Sequence, residues 1–294
     1  MKAPTKAIIT DAGFASRYLP ITKTIPKAML PLGNRPIMQL VVEECVKAGI
    51  KEIIIVATPE GKPIYEDYFY NSVHHIHDQL IAQGKEARYD VVREVLDLPK
   101  INIIEQDRNL PYGNGSPIVS AKDYIASDEA FLVFYSDDVV FGKSDAESLM
   151  DEFSQHPDAK AIVAAQEVDP SVVDKYGIFQ LKEGSKLDYI VEKPAVGQAP
   201  SSLASYGRYL LTPEVFEHLN PDNLGLDNEL WTVDAITKMA KSGDVYVVST
   251  EGRWVTTGDP KNYFLAHLQY ILENENYIED VKKVLESVEL PSGE

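Results

Sequence analysis

The sequence predicts an α/β fold: a mixed, mainly parallel sheet flanked by helices, followed by a smaller β-rich part. The first observation is a strand pattern at Lys6–Thr10, a helical pattern from Pro36 to Ala48 and the continuous β-branched run Glu52–Ala57. Strand, helix and strand within about 50 residues indicate a βαβ unit with a parallel sheet. The second is the hairpin-like pattern of residues 176–211, which indicates antiparallel strands later in the chain.

Residues 60–99 form a different region, which looks helical and carries many charges. Its histidines are His74, His75 and His77. The spacing of these histidines does not place all three on one face of a helix, so we interpret the region as a solvated or subunit-facing helical arm rather than a metal site.

The remaining elements follow in chain order. Apolar runs predict strands at Ile101–Glu105, Phe131–Tyr135, Lys160–Gln166, Gly177–Leu181, Lys186–Val191, Leu203–Leu211 and Val245–Ser249. Helical patterns are found at Pro117–Ile125, Ala146–Gln155, Glu229–Lys241, Pro260–Glu273 and Tyr277–Val288. The alternation of the two types favours the α/β class.

Composition and charge exclude several classes of protein. The 28 Lys and Arg residues against 46 Asp and Glu give a net charge of −18, which argues against a general nucleic-acid binder because such a protein needs a basic surface. The single cysteine, Cys45, rules out an intramolecular disulfide and a multi-cysteine metal site. Neither a leader peptide nor an apolar run of about 18 residues is visible. We therefore expect a cytoplasmic protein with no membrane and no nucleic-acid partner.

The segment 12–42 is electrostatically unlike the rest of the chain. It contains no acidic residue, and its basic residues are Arg17, Lys23, Lys27 and Arg35. It follows the first strand, at the edge where open α/β sheets bind their ligands. Small residues near its start allow backbone N–H groups to approach phosphates. It matches neither the P-loop pattern nor G-x-G-x-x-G, and an ordinary basic loop is the alternative interpretation.

This segment resembles the signature of sugar-1-phosphate nucleotidyltransferases. In the bacterial uridylyltransferases that use UTP and glucose 1-phosphate, the pattern is roughly A-A-G-x-G-T-R-x-L-P-x-T-K-x-x-P-K-E-M-L-P. This chain reads A-G-F-A-S-R-Y-L-P at 12–20, T-K at 22–23, P-K at 26–27 and M-L-P at 29–31. Further ordered matches extend the resemblance over about 270 residues.

The resemblance implies a Rossmann-like fold of the nucleotide-diphospho-sugar transferase type, with residues 1–294 as a single domain. Its expected parts are a nucleotide-binding part at about 1–142, the helical arm at about 60–99, a sugar-binding part at about 143–259 and C-terminal helices at about 260–290.

The resemblance also implies a reaction. UTP and glucose 1-phosphate would give UDP-glucose and pyrophosphate, with Mg²⁺ as cofactor. The sugar phosphate is the nucleophile and needs no general base because it is already ionised, so catalysis consists of positioning and charge neutralisation. A thymidylyltransferase or another sugar-1-phosphate nucleotidyltransferase is an alternative. A catalytically weakened, regulatory relative that binds nucleotide is another. The sequence does not fix the oligomeric state. If the protein forms a homo-oligomer, the arm and the C-terminal helix are candidate contact surfaces.

By resemblance, the nucleotide meets residues from two loops. Ala12 and Gly13 would contact it through their backbone, while Arg17 and Lys27 would address its phosphates. Gln106 follows a predicted strand and matches the glutamine that reads the pyrimidine base. The next loop reads Y-G-N-G-S-P, where uridylyltransferases usually show G-L-G-H-A.

Gly113 lies in this loop and suits a close approach of the backbone to the base or ribose. A plain turn is the alternative interpretation of the loop.

Two carboxylates, Asp137 and Asp138, follow the apolar strand Phe131–Tyr135. Such a pair is costly at the end of a buried strand without a cation, and Mg²⁺ is a natural partner for its oxygens. A capping pair before a turn is the alternative. In the family, the first carboxylate, here Asp137, is the metal ligand.

The sugar side is also assigned by resemblance. Gly177 follows Tyr176 in a Y-G turn whose backbone contacts sugar hydroxyls. Glu192 and Lys193 belong to an E-K-P motif, in which the carboxylate accepts from sugar hydroxyls and the lysine holds the sugar phosphate. An isolated Glu-Lys pair would usually be surface charge, but its order after the other motifs favours the site.

Several residues depart from the family pattern. Thr256 stands where the family has an aspartate that is the second metal ligand, and Asp259 is the only nearby acid. Asp11 adds negative charge beside the phosphate loop. The other departures are Ala15 for glycine, Ala28 for glutamate and Trp231 for glutamine. Thr256, Asp11 and Ala28 favour the regulatory alternative. The retained Arg17, Lys27, Asp137, Glu192 and Lys193 argue against it.

Overall fold

A computed structural model describes residues 1–288 of the chain. Its strands are β1 (Lys6–Asp11), β2 (Pro31–Leu32), β3 (Arg35–Pro36), β4 (Glu52–Ala57), β5 (Lys100–Glu105), β6 (Phe131–Tyr135), β7 (Asp138–Phe141), β8 (Ala161–Glu167), β9 (Gly177–Leu181), β10 (Leu187–Glu192), β11 (Leu203–Leu211), β12 (Val245–Ser249) and β13 (Arg253–Thr256). Its α-helices are α1 (Ile37–Lys47), α2 (Lys62–Tyr70), α3 (His74–Ala82), α4 (Asp90–Leu96), α5 (Ser116–Ser120), α6 (Asp145–Gln155), α7 (Val215–His218), α8 (Thr232–Ser242), α9 (Pro260–Leu272) and α10 (Glu275–Ser287).

Nine of the described strands form one central sheet. Strands β6, β1, β4 and β5 are parallel neighbours. Strand β11 lies antiparallel to β6 and connects this series to β8 and β9, while β12 runs parallel to β8 and β10 antiparallel to β9. The mixed sheet is thus confirmed, parallel through the first part of the chain and largely antiparallel through the later part.

The sheet is covered by helices on both faces. In β4, Ile53 and Ile55 pack into one apolar cluster with side chains of α1, α2 and α6. Ile54 points to the other face and packs into a second cluster with side chains of α5 and α8. A near-continuous apolar strand is typical of a sheet buried on both faces, as the sequence predicts.

The structure differs most from the predicted elements at two helices, while several other predicted boundaries are off by one or two residues. The helix predicted at Pro117–Ile125 is the short α5 followed by a separate 3₁₀ turn, Lys122–Tyr124. The helix predicted from Glu229 begins only at Thr232, because the preceding Leu230 is bonded through its backbone to the loop at Tyr112.

The small antiparallel ribbon of β7 and β13 was not predicted. It joins the end of β6 to the segment before α9, so it brings the region around Asp137 close to the region around Thr256. The predicted C-terminal region 260–290 contains α9 and α10. Its last two residues, and the polar end that follows, lie outside the described residues.

The arm at 60–99 is helical, as predicted, and contains α2, α3 and α4. His74 contacts the Ser72 hydroxyl at 2.7 Å, whereas His77 lies 3.0 Å from an Arg93 nitrogen and packs against the Tyr89 ring at a tilt.

Among residues 1–288, no helix combines the length and apolar character needed to span a membrane.

Candidate active site

Two neighbouring cavities open at the carboxyl edge of the parallel strands. The larger has a volume of about 690 Å³ and lies between the loop after β1 and the loop after β5. The smaller, about 200 Å³, lies beside β9, β10 and β11. Both are lined by Asn114, Tyr135 and Asp137. The end of β6 is therefore the point where a molecule in one cavity would meet a molecule in the other.

The loop after β1 lines the larger cavity with Ala12, Gly13 and Lys27. Ala15 adopts a left-handed backbone with φ +46°, a conformation that favours the glycine of the resembled pattern. Arg17 is exposed on a short 3₁₀ turn and lines neither cavity. The structure thus brings Lys27 into the site and leaves Arg17 on the outer side of the loop.

Lys27 and Asp137 form an ion pair in which Nζ donates to Oδ2. Burial opposes both charges. Lys27 nevertheless lowers the pKa of the Asp137 carboxyl below its usual value, and the Asp137 and Asp11 carboxylates raise the pKa of Lys27. Both groups are thus held charged beside the shared wall of the cavities. A charged lysine in this position can neutralise the negative charge of a bound phosphate.

The two carboxylates after β6 turn in different directions. Asp137 is partly exposed toward the cavities, whereas Asp138 is buried and accepts from Trp254 Nε1 at 2.6 Å and from the Gly207 N–H at 3.2 Å. Burial, followed by the nearby Asp137 charge, raises the pKa of Asp138 to about 6. Of these two residues, Asp137 lines both cavities, whereas Asp138 lines only the smaller one.

The turn that carries Asp137 is held by residues from distant parts of the chain. The backbone N–H and hydroxyl of Thr257 donate to the Asp137 carbonyl at 2.6 and 2.9 Å. The fully buried Arg208 donates to the carbonyls of Tyr135 (3.1 Å) and Asp138. The resemblance assigns Arg208 to a G-R-Y motif of the sugar side, and its support of the Asp137 turn was not predicted, although a charged residue inside the nine-residue strand β11 is a signal that could have found it.

Thr256 lies beside Asp137, where the family pattern has an aspartate. A methyl group built on Gly258 would lie 3.2 Å from Asp137 Oδ2 and 3.3 Å from Thr256 Oγ1, so both oxygens flank the same point. Asp259 is instead the N-cap of α9 and accepts from the Asn262 N–H at 3.0 Å. One carboxylate and one hydroxyl, completed by substrate oxygens and water, form a donor set that suits Mg²⁺.

Asp11 is buried and its carboxylate is occupied. It accepts from the hydroxyl of Tyr65, which lies on α2 of the arm, and from Ser136 Oγ at 2.8 Å. Burial raises the pKa of Asp11. The Asp11 carboxylate, which adds negative charge beside the phosphate loop, therefore accepts hydrogen bonds from two hydroxyls and interacts with the charge of Lys27.

The loop after β5 lines the far side of the larger cavity with Gln106 and Gly113. Gly113 has φ +135°, and a Cβ there would lie 2.4 Å from the carbonyl oxygen of Leu230. The close approach that requires this glycine is thus to the chain's own backbone at Leu230. Phe14 and Tyr112 stack across this cavity with ring centroids 5.8 Å apart.

Two of the three predicted sugar-side residues line the smaller cavity. Gly177 and Glu192 line it, and burial raises the pKa of Glu192. The Lys193 ammonium lies 3.6 Å from Glu192 Oε1 and 4.9 Å from the ring centroid of Trp231, a residue that lines the larger cavity. Lys193 itself lines neither cavity, and its ammonium lies beside one lining residue of each.

The chain is similar to known proteins along most of its length. The nucleotidyl transferase family model matches residues 6–273. The chain is 36% identical over 295 aligned residues, covering 99% of this chain and 100% of the relative, to a UTP–glucose-1-phosphate uridylyltransferase of Staphylococcus epidermidis. A relative of the same name from Staphylococcus haemolyticus is 35% identical, with 98% of this chain and 99% of the relative covered.

Two solved structures show the same fold. A UDP-glucose pyrophosphorylase complexed with UDP-glucose is 30% identical with a TM-score of 0.80, over 92% of this chain and 100% of that one. A UTP-bound enzyme of this type from Acinetobacter baumannii is 27% identical with a TM-score of 0.86, over 97% and 100%. On these matches and the conserved order of its motifs along the whole fold, this chain belongs to the nucleotidyl transferase family.

Proposed function

We propose that the protein transfers a uridylyl group from UTP to glucose 1-phosphate, giving UDP-glucose and pyrophosphate. The observation that carries the proposal is the shared wall of the two cavities, where Asp137 and Lys27 lie between a space large enough for a nucleotide and a smaller one beside Glu192. The names of the full-length relatives, and the UTP and UDP-glucose in the titles of the similar structures, support this assignment.

In this proposal UTP occupies the larger cavity. Gln106 and the backbone near Gly113 contact the base, and Ala12 and Gly13 approach the phosphates through their N–H groups. Lys27 exchanges its bond to Asp137 for the triphosphate, where its charge stabilises the developing negative charge. Arg17 reaches the phosphates only if its loop folds inward over the bound nucleotide.

Glucose 1-phosphate occupies the smaller cavity. Glu192 accepts hydrogen bonds from sugar hydroxyls beside Gly177, and Lys193 binds the phosphate. An oxygen of that phosphate attacks the α-phosphorus of UTP in line, and the bond from the α-phosphorus to the β-phosphate oxygen breaks. Pyrophosphate leaves with that bonding pair, and no proton transfer is required because the nucleophile is already an anion.

Asp137 and the Thr256 hydroxyl would hold Mg²⁺ together with phosphate oxygens. The ion would neutralise phosphate charge and orient the triphosphate. The protein's own contribution is to fix the Asp137 turn through Thr257 and Arg208, so that the carboxylate is in place before substrate arrives.

A pyrophosphate-release assay with UTP and glucose 1-phosphate, with and without Mg²⁺, tests the proposal. We expect Mg²⁺-dependent release with UTP preferred over TTP, CTP, ATP and GTP, and with glucose 1-phosphate preferred over other hexose 1-phosphates. Preference for TTP would support the thymidylyltransferase alternative. UTP binding without turnover under any of these conditions would support the regulatory relative, which Thr256 favours.

Other properties of the protein belong to the same proposal. A cytoplasmic location and small-molecule partners, with no nucleic acid or membrane, accord with the net charge of −18 and with a UTP-dependent activity. Self-association through the C-terminal helices is proposed because α9 exposes Phe264, Leu265, Leu268 and Leu272 on its surface. Sedimentation of the full chain, compared with a Phe264→Glu variant, tests this.

A further inference from the structure

Trp231 lines the larger cavity and is held in a fixed orientation there. It immediately precedes α8 and has an extended backbone. Its indole N–H donates to the carbonyl of Leu226 at 2.9 Å, and its ring lines the larger cavity. A tryptophan with a satisfied N–H still presents the face of its ring, which attracts cations.

The cation over that face is Lys193. Its ammonium lies 4.9 Å from the ring centroid of Trp231 and 3.6 Å from Glu192 Oε1. The backbone of Lys193 is left-handed, with φ +46°, and its N–H donates to the Tyr176 carbonyl at 3.0 Å. The side chain is therefore directed by its backbone and contacted by a ring and a carboxylate, although it remains 47% exposed.

The segment that carries Trp231 is also bonded to the loop of the larger cavity. Leu230 donates to the Tyr112 carbonyl and accepts from the Gly115 N–H, both at 2.8 Å. On the other side of Trp231, the Thr232 N–H donates to Asn114 Oδ1 at 2.8 Å. The ring that contacts Lys193 is thus carried by a segment bonded to the loop of the larger cavity. The helix α8 that follows it also bonds to the sugar-side strand β10, where the Ile190 N–H donates to Thr237 Oγ1 at 3.2 Å.

We propose that Trp231 is a positioning residue, whose indole face holds the Lys193 ammonium beside Glu192 and so sets the affinity for the sugar phosphate. This inference rests on the proposed function. A lysine already held beside Glu192, which lines the smaller cavity, loses less side-chain freedom when it binds a phosphate there. Glutamine, the residue of the resembled pattern at this position, has no such ring.

The test compares Trp231→Phe with Trp231→Leu. Both variants lose the N–H bond to Leu226 and both keep an apolar side chain, but only phenylalanine keeps an aromatic face. We expect KM for glucose 1-phosphate to be two- to fivefold higher in the leucine variant than in the phenylalanine variant, which corresponds to about 0.5–1 kcal/mol. The KM for UTP and kcat should agree within about twofold between the two variants.

The same pair in a Lys193→Met background completes the cycle. If Trp231 acts through Lys193, the phenylalanine and leucine variants become equal in their response to glucose 1-phosphate. A difference that persists without the lysine would overturn the inference, as would equal KM values in the presence of Lys193. An effect on UTP instead of glucose 1-phosphate would also overturn it and assign Trp231 to nucleotide binding.

A second measurement separates this inference from the proposed function. The ring current of Trp231 should shift the Lys193 side-chain methylene resonances upfield in the protein without substrate, with the assignment made by their loss in Lys193→Met. The shift should persist in part in Trp231→Phe and disappear in Trp231→Leu. Failure to release pyrophosphate with the upfield shift present would refute the proposed function alone. Unshifted resonances in an active enzyme would refute the contact of Lys193 with Trp231.

Discussion

The two lysines of the site are held in opposite ways. Lys27 has a side chain that is 18% exposed and bonds directly to a carboxylate, whereas the Lys193 side chain is 47% exposed and lies against a ring face and a carboxylate 3.6 Å away. Removing one partner of a buried ion pair strongly destabilises the folded protein, because the other charge stays buried without a partner. An exposed ion pair contributes little to the free energy of folding. The comparison indicates a nucleotide side held by a direct ion pair, called here the rigid side, and a sugar side held by weaker contacts, called here the adjustable side.

The rigid side should be the more sensitive of the two. We expect Asp137→Asn to lower kcat by about 100-fold or more, about 3 kcal/mol, because the amide keeps the shape but neutralises neither Lys27 nor a metal ion. Turnover at saturating Mg²⁺ and circular dichroism of the variant measure the two effects separately. Near-normal turnover in a folded variant would remove Asp137 from the mechanism.

Asp11 stabilises the same rigid side through its buried hydrogen bonds with Tyr65 and Ser136. Asp11→Ala should lower the free energy of unfolding by about 1–3 kcal/mol, because the buried hydroxyls of Tyr65 and Ser136 lose their acceptor. Asp11→Asn, which keeps an acceptor oxygen, is the matched control and should lose less. UTP affinity should not fall in either variant, since a negative charge near the phosphates is removed. Denaturant unfolding and UTP titration provide the readouts, and equal stability of both variants would contradict the proposed support.

How far these features could be predicted from sequence differs between the two sides. The end of β6 and the unusual charge of segment 12–42 were visible as patterns, so Asp137 and Lys27 were both predicted as site residues, and the structure places them in contact. The hydroxyl that engages Asp11 could not be found this way, because Tyr65 comes from the arm and meets β1 only in the folded chain.

Fewer of the contacts on the sugar side could be predicted from patterns in the sequence. The ribbon of β7 and β13 consists of two four-residue strands, which are too short for a periodic pattern to reveal. The contact between Trp231 and Lys193 joins residues on separate elements, and the sequence showed Trp231 only as a departure from a motif. Tertiary contacts of this kind leave no local signal.

On the adjustable side, Lys193→Ala should raise KM for glucose 1-phosphate by about tenfold, about 1.4 kcal/mol, as expected for one charge-assisted bond to phosphate. The KM for UTP should change far less. Steady-state kinetics with each substrate varied in turn give both values. A larger effect on UTP, with sugar phosphate binding intact, would reverse the assignment of this lysine.

The smallest effect concerns the missing second carboxylate. Thr256→Asp should lower the Mg²⁺ concentration needed for half-maximal rate by a few fold, because a second carboxylate strengthens an oxygen site that otherwise relies on substrate. Asp259→Asn is the control and should leave the requirement unchanged, since Asp259 caps α9. Loss of activity in a folded Asp259→Asn variant would show that the metal site includes that residue.

The most direct test of the assignment of the two lysines is calorimetric titration of UTP, without sugar phosphate, into Lys27→Gln and Lys193→Gln. Both variants remove one charge and keep a polar side chain, and thermal unfolding checks that each is folded. If Lys27 serves the nucleotide and Lys193 the sugar phosphate, the Kd for UTP rises by about tenfold or more in Lys27→Gln and stays within about twofold in Lys193→Gln. Equal losses in both variants, or a greater loss in Lys193→Gln, would contradict the division of the site into two substrate sides.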